Sequence, residues 1–164
     1  MTINGTCQLK AARERVWDAL NDPEILRRCT PGCKEFAPTG ENSYAVLLEV
    51  GVGSVKGRYK GKIEITNRVP GREYRLAMQG AGNTGFVNAD GVIQLNAEGD
   101  ETRIEYSGVA NAGGPIAGVG QRVMEGAAKF LVGQFFKCFE AAILRNPAGT
   151  ESGFTPDGAK SSGD

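Results

Sequence analysis

The amino-acid sequence predicts one α+β domain: a curved antiparallel sheet of about seven strands wrapped around a long C-terminal helix, with two short helices after the first strand. Three observations predict it. Between residues 44 and 110, apolar and polar residues alternate, the period of a half-buried strand. Turn signals cut that stretch at Gly53-Ser54, Pro70-Gly71 and Glu98-Gly99-Asp100. From Ile116 to Leu144 the pattern becomes helical, with Ile116, Val119, Val123, Ala127, Phe130, Leu131, Phe135, Cys138 and Ala142 near one stripe.

The elements follow in order. Ile3 to Leu9 alternates loosely as a first strand. Ala11 to Leu20 carries Val16, Trp17 and Leu20 at helical spacing. Asn21-Asp22-Pro23 stops that helix, because the residue before a proline is pushed out of the α region. A second short helix spans Pro23 to Arg28, and Thr30-Pro31-Gly32 turns the chain. Strands are expected at Tyr44 to Val52, Lys56 to Thr66, Glu73 to Gln79, Gly85 to Ala97 and Thr102 to Ala110. The Lys56 to Thr66 run puts Arg58, Lys60, Lys62 and Glu64 on one face, and Tyr59, Gly61, Ile63 and Ile65 on the other. Gly113-Gly114-Pro115 ends the sheet, and Pro115 is pre-set to begin a helix. That helix, at 1.5 Å per residue, is roughly 40 Å long. Residues 1 to 146 are expected to form the domain. Residues 147 to 164, small and polar apart from Phe154, are expected to be a disordered tail.

Composition narrows the function. The chain of 164 residues is long enough to bury a core. It carries 19 Lys plus Arg against 19 Asp plus Glu, so no broad positive field exists to hold nucleic acid. It has no His, which removes the commonest general base and metal ligand. No apolar run reaches the roughly 18 residues a membrane span needs. Of the four Cys, Cys29 and Cys33 have neither redox-pair nor zinc-knuckle spacing. With no signal peptide at the N-terminus, reduced cytosolic thiols and a packed turn at Cys29 to Cys33 are expected.

The 24 Gly are unevenly placed. The inward strand faces mix large residues (Tyr59, Met78, Tyr106) with Gly61, Ala89, Gly91 and Gly108. One reading is that glycine permits strong bending and close helix approach with no void. The other is that small residues leave an apolar ligand cavity. Strand alternation and the helical stripe name its lining: Val46, Leu48, Tyr59, Met78, Val87, Ala89, Tyr106, Val123, Ala127, Phe130 and Leu131. Tyr59 and Tyr106 are apolar in body and polar at the tip, suited to holding a carbonyl.

Other motifs have plainer readings. Gly80-Ala-Gly-Asn-Thr-Gly85 spells GxGxxG, but a strand follows where a dinucleotide site needs a helix. It is expected to be a hairpin loop. Glu64 shares its face with Arg58, Lys60 and Lys62 and is read as solvated, whereas Glu49 is open to either face. That basic face is read as a wet sheet surface, with docking of an acidic partner or anionic headgroups as the alternative.

Several segments resemble the carbon monoxide dehydrogenase G-subunit family, within the helix-grip (START-like, polyketide cyclase/dehydrase) superfamily. They are Val16-Trp-Asp-Ala-Leu-Asn-Asp-Pro23, then Cys29-Thr-Pro-Gly-Cys33, Gly57-Arg-Tyr-Lys-Gly61, Gly82-Asn-Thr-Gly-Phe86, Thr102-Arg-Ile-Glu-Tyr106, Gly114-Pro-Ile-Ala-Gly-Val-Gly-Gln-Arg122 and Phe135-Phe136. They cover residues 1 to 144 in the family's order. The resemblance implies a helix-grip fold and a partner, a molybdenum hydroxylase of the carbon monoxide dehydrogenase type. It implies a role in tethering that enzyme at the cytoplasmic membrane and passing its electrons to quinone. The expected function is a non-catalytic accessory protein with no covalently bound cofactor, binding an isoprenoid quinone or similar lipid. An assembly or recruitment factor without ligand is the alternative, and a cyclase or dehydratase a further one. The expected location is cytoplasmic, with peripheral contact at the inner membrane face. Longer family members carry a C-terminal extension thought to engage the membrane. Here Asn146 to Asp164 is polar, with no apolar face to lie in an interface.

Overall fold

The computed structural model describes residues 1–52 and 55–145. The expected Gly53-Ser54 turn and the expected tail therefore lie outside the described residues. The chain runs β1 (Thr2–Leu9), α1 (Arg13–Leu20), α2 (Pro23–Cys29), β2 (Cys33–Pro38), β3 (Ser43–Val52), β4 (Val55–Val69), β5 (Glu73–Gly82), β6 (Gly85–Glu98) and β7 (Glu101–Gly113). A short 3-10 helix (Pro115–Val119) and α3 (Gln121–Arg145) complete it.

All seven strands form one sheet, in the order β1-β7-β6-β5-β4-β3-β2. Every neighbouring pair is antiparallel. Strands β2 to β7 thus form a meander, and β1 returns to close the β7 edge. Turn chemistry sets the register. Gly71 and Gly99 sit at positive φ (76° and 65°), which glycine adopts at no steric cost.

Two expectations are corrected. Cys33 to Pro38, where no strand is expected from the sequence, is the edge strand β2, paired with β3 and bulged between Cys33 and Glu35. It is short, and among its residues only Phe36 is buried, so its alternation is too brief to detect. The Ile116 to Leu144 helix is broken. Its first turn is 3-10, and Gly120 at φ 97° separates it from α3.

Short helices cap one end of the sheet. Asp22 caps α2 by accepting a hydrogen bond from the Glu24 amide at 3.0 Å, and Pro23 occupies the first turn. Trp17 of α1 packs its ring on Tyr74, centroids 5.7 Å apart. The main core lies at this end: Leu9, Val16, Leu20, Ile65, Ile104 and Phe139 are almost wholly buried. Within it, Thr102 donates to the Ala11 carbonyl at 2.8 Å, satisfying both groups. A smaller cluster at the other end joins Val55, Tyr59, Ile116, Met124 and Ala127.

Candidate functional site

Between the two clusters lies a cavity of about 470 Å³, partly open and almost wholly apolar in its wall. Its origin is the placement of α3. The principal neighbours of α3 are α2, α1, β1 and the 3-10 helix, not the middle strands of the sheet. The inward side chains of β3 to β6 consequently face space. Met78 shows this directly: it points inward, pairs with Ile63 and Ala89, and is still 38% exposed.

The glycines serve both expected roles. Gly61 pairs with Gly80, and Gly91 with Gly108, and all four line the cavity. A Cβ on Gly108 would fall 2.6 Å from the Asp90 carbonyl oxygen, so the bend there admits no side chain. The same absence of side chains widens the cavity.

Of the residues named from sequence, Val46, Leu48, Tyr59, Met78, Val87, Ala89, Tyr106, Ala127 and Leu131 line this cavity. Val123 and Phe130 do not. They are 44% and 52% exposed, on the outer face of α3. The reason is helical phase. Each precedes an inward residue (Met124, Leu131) by one position, hence by about 100° of rotation. The true inner stripe is Met124, Ala128, Leu131, Phe135 and Phe139, at spacings of four and three. That spacing is present in the sequence, but starting the helix at Ile116 blurs its phase. Leu26, Thr30 and Pro31 also line the cavity, and sequence reasoning does not find them. Their contribution comes from tertiary packing of α2 against α3 and leaves no periodic signal.

Polar groups at the cavity are few. Tyr59 Oη and Thr84 Oγ1 share a hydrogen bond of 2.8 Å at the β5–β6 turn. The Gly80 to Gly85 motif forms that hairpin, with no helix opening at it. Tyr106 stacks on Phe136, centroids 5.2 Å apart. Desolvation, with a smaller contribution from Cys7, pushes its phenol above the ordinary range, so at neutral pH it is a hydrogen-bond donor. Glu49 faces outward, held by Arg58 at 2.6 Å and Lys34 at 3.8 Å. It brings no carboxylate to the cavity. The basic face is partly neutralised by that pair and by Lys62–Glu64 at 3.6 Å. Among the described residues no group of His, Cys, Asp or Glu is arranged to hold a metal.

The cysteines depart from expectation. Cys29, at the end of α2, is disulfide-bonded to Cys138 on α3, with Cα atoms 5.3 Å apart. Cys7 and Cys33 are free. Burial is the first cause raising both thiols, so they are protonated near neutral pH.

A meander sheet gripping a C-terminal helix over an apolar cavity defines a helix-grip protein. The chain belongs to the carbon monoxide dehydrogenase G-subunit (CoxG) family, whose model matches residues 5–144. A conserved protein from Geobacillus kaustophilus is 40% identical, with a TM-score of 0.87, covering 89% of this chain and 97% of that one. A START superfamily protein from Mycobacterium smegmatis shares the fold at 12% identity and a TM-score of 0.68, covering 88% and 97%. The Zhui aromatase/cyclase from Streptomyces sp. R1128 does so at 14% and 0.67, covering 90% and 95%. No protein of curated function matches the chain. No helix among the described residues is long and apolar enough to cross a membrane.

Proposed function

We propose that this protein is a non-catalytic accessory protein of a molybdenum hydroxylase of the carbon monoxide dehydrogenase type. It binds an isoprenoid quinone or similar lipid in the cavity and links the enzyme to the membrane quinone pool. The observation that carries the ligand half of this reading is the cavity itself: about 470 Å³, within the range of small-molecule sites, with a wall of aliphatic and aromatic side chains. Among its lining residues, Tyr59 and Tyr106 carry hydroxyls that suit a carbonyl or hydroxyl head group. Family membership supports the partner half. No cofactor is bound covalently in this reading, and contact with the inner membrane face is peripheral and transient.

The test is solvent extraction of protein purified from a quinone-containing cell, with mass spectrometry and ultraviolet spectra of the extract. A stoichiometric quinone or lipid is expected. An empty extract, repeated after incubation with added quinone, would overturn the carrier reading and leave a ligand-free assembly role.

A further inference from the structure

The disulfide does not itself line the cavity, but it lies directly behind its wall. Cys29 ends α2, and the next two residues, Thr30 and Pro31, line the cavity. Cys138 follows the lining residue Leu131 by seven positions, so both occupy one strip of α3. The bond therefore fastens two walls together where α2 meets α3. The hold matters because α3 otherwise stands off strands β3 to β5, with α1, β1 and the 3-10 helix as its other principal supports. The two sulfurs are unequal in access. Cys29 is 2% exposed, whereas Cys138 is half-buried on the flank of the helix.

We propose that the Cys29–Cys138 disulfide is a redox-operated latch that sets how fast the cavity exchanges its apolar ligand. This rests on the ligand-carrier reading. Opening requires a dithiol. Its thiolate attacks the accessible Cys138 Sγ, the S–S bond breaks, and Cys29 leaves as a thiolate that takes a proton. The second thiol of the reductant then attacks the mixed disulfide and releases Cys138. The balance is two electrons and two protons from the dithiol, which becomes a disulfide, and two protein thiols. A small-molecule disulfide closes the latch by the reverse exchange. Once open, α2 and its Thr30–Pro31 exit lose their covalent tie to α3.

The experiment uses the full chain and the apolar fluorophore 1-aminoanthracene. Protein is oxidised with a small disulfide, its free thiols are counted by mass after alkylation, and probe release into phosphatidylcholine vesicles is timed before and after dithiothreitol. Two free thiols, then four, are expected, with release several-fold faster after reduction. The Cys29→Ser/Cys138→Ser variant should release at the reduced rate under both conditions, and Cys33→Ser should keep the wild-type response. Reduced wild-type protein gives the answer if the double variant does not fold. Four free thiols after oxidation, or equal release rates in the two states, would overturn the latch while leaving the carrier reading intact. Absence of probe binding in both states would overturn the two together.

Discussion

The two ends of the sheet are built from the same strands by the same alternation, yet one is solid and the other hollow. At the first end, Leu9, Ile65, Tyr74, Leu95 and Ile104 meet α1, α2 and the C-terminal half of α3, and Phe139 fills the centre. At the second, Met78, Val87, Ala89 and Gly91 face the cavity, from which the N-terminal half of α3 stands off. The difference lies in coverage, not in the strands. Two short helices inserted between β1 and β2 close one end of the grip, whereas the other has only the small cluster of Val55, Tyr59, Ile116, Met124 and Ala127, and the cavity lies between. The packed end supplies the stability that lets the hollow end stay open, since an uncovered apolar wall forfeits its own burial.

Truncation should separate the two ends. Phe139→Ala empties a site with no exposure and should cost about 3–5 kcal/mol in a denaturant titration. Met78→Ala, already facing open space, should cost about 1 kcal/mol or less. Similar costs at the two sites would erase the distinction. Next in size is the disulfide. It closes a loop across 109 residues, so reduction should lower stability by about 2–4 kcal/mol in the same titration. Thr102→Val comes third. It leaves the buried Ala11 carbonyl without its partner and should cost about 1–3 kcal/mol.

A smaller effect concerns pH and is largest at the packed end. Burial pushes the Tyr74 phenol well above the ordinary tyrosine range. The folded state then keeps a proton that the unfolded chain gives up, so stability is full below about pH 10 and falls as pH rises beyond it. Tyr74→Phe should flatten that alkaline limb in a thermal-melt series.

Much of this contrast is legible in the sequence. The alternation of Tyr59, Gly61, Ile63 and Ile65, and of Val87, Ala89 and Gly91, predicts which face turns inward, because a strand's side chains have only two directions. Helices allow more error. Val123 and Phe130 fall in the predicted stripe because it begins before Gly120, and a phase error of one residue carries a side chain from wall to solvent. The edge strand β2 offers one buried side chain and so no period to read. The Cys29–Cys138 pairing joins positions far apart in the chain, and spacing rules address only local pairs such as Cys29 and Cys33. The Thr30–Pro31 wall is illegible for the same reason.

The most direct test of the central claim is a titration of 1-aminoanthracene into wild-type protein, Ala89→Trp and Phe130→Ser. Ala89 lies on the inner face of β6 and lines the cavity, whereas Phe130 lies outside it. An apolar cavity that is the binding site predicts saturable binding to the wild type, retained in Phe130→Ser and lost in Ala89→Trp at an unchanged melting temperature. Undiminished binding by a folded Ala89→Trp protein would contradict the account and move the ligand off the hollow end of the sheet.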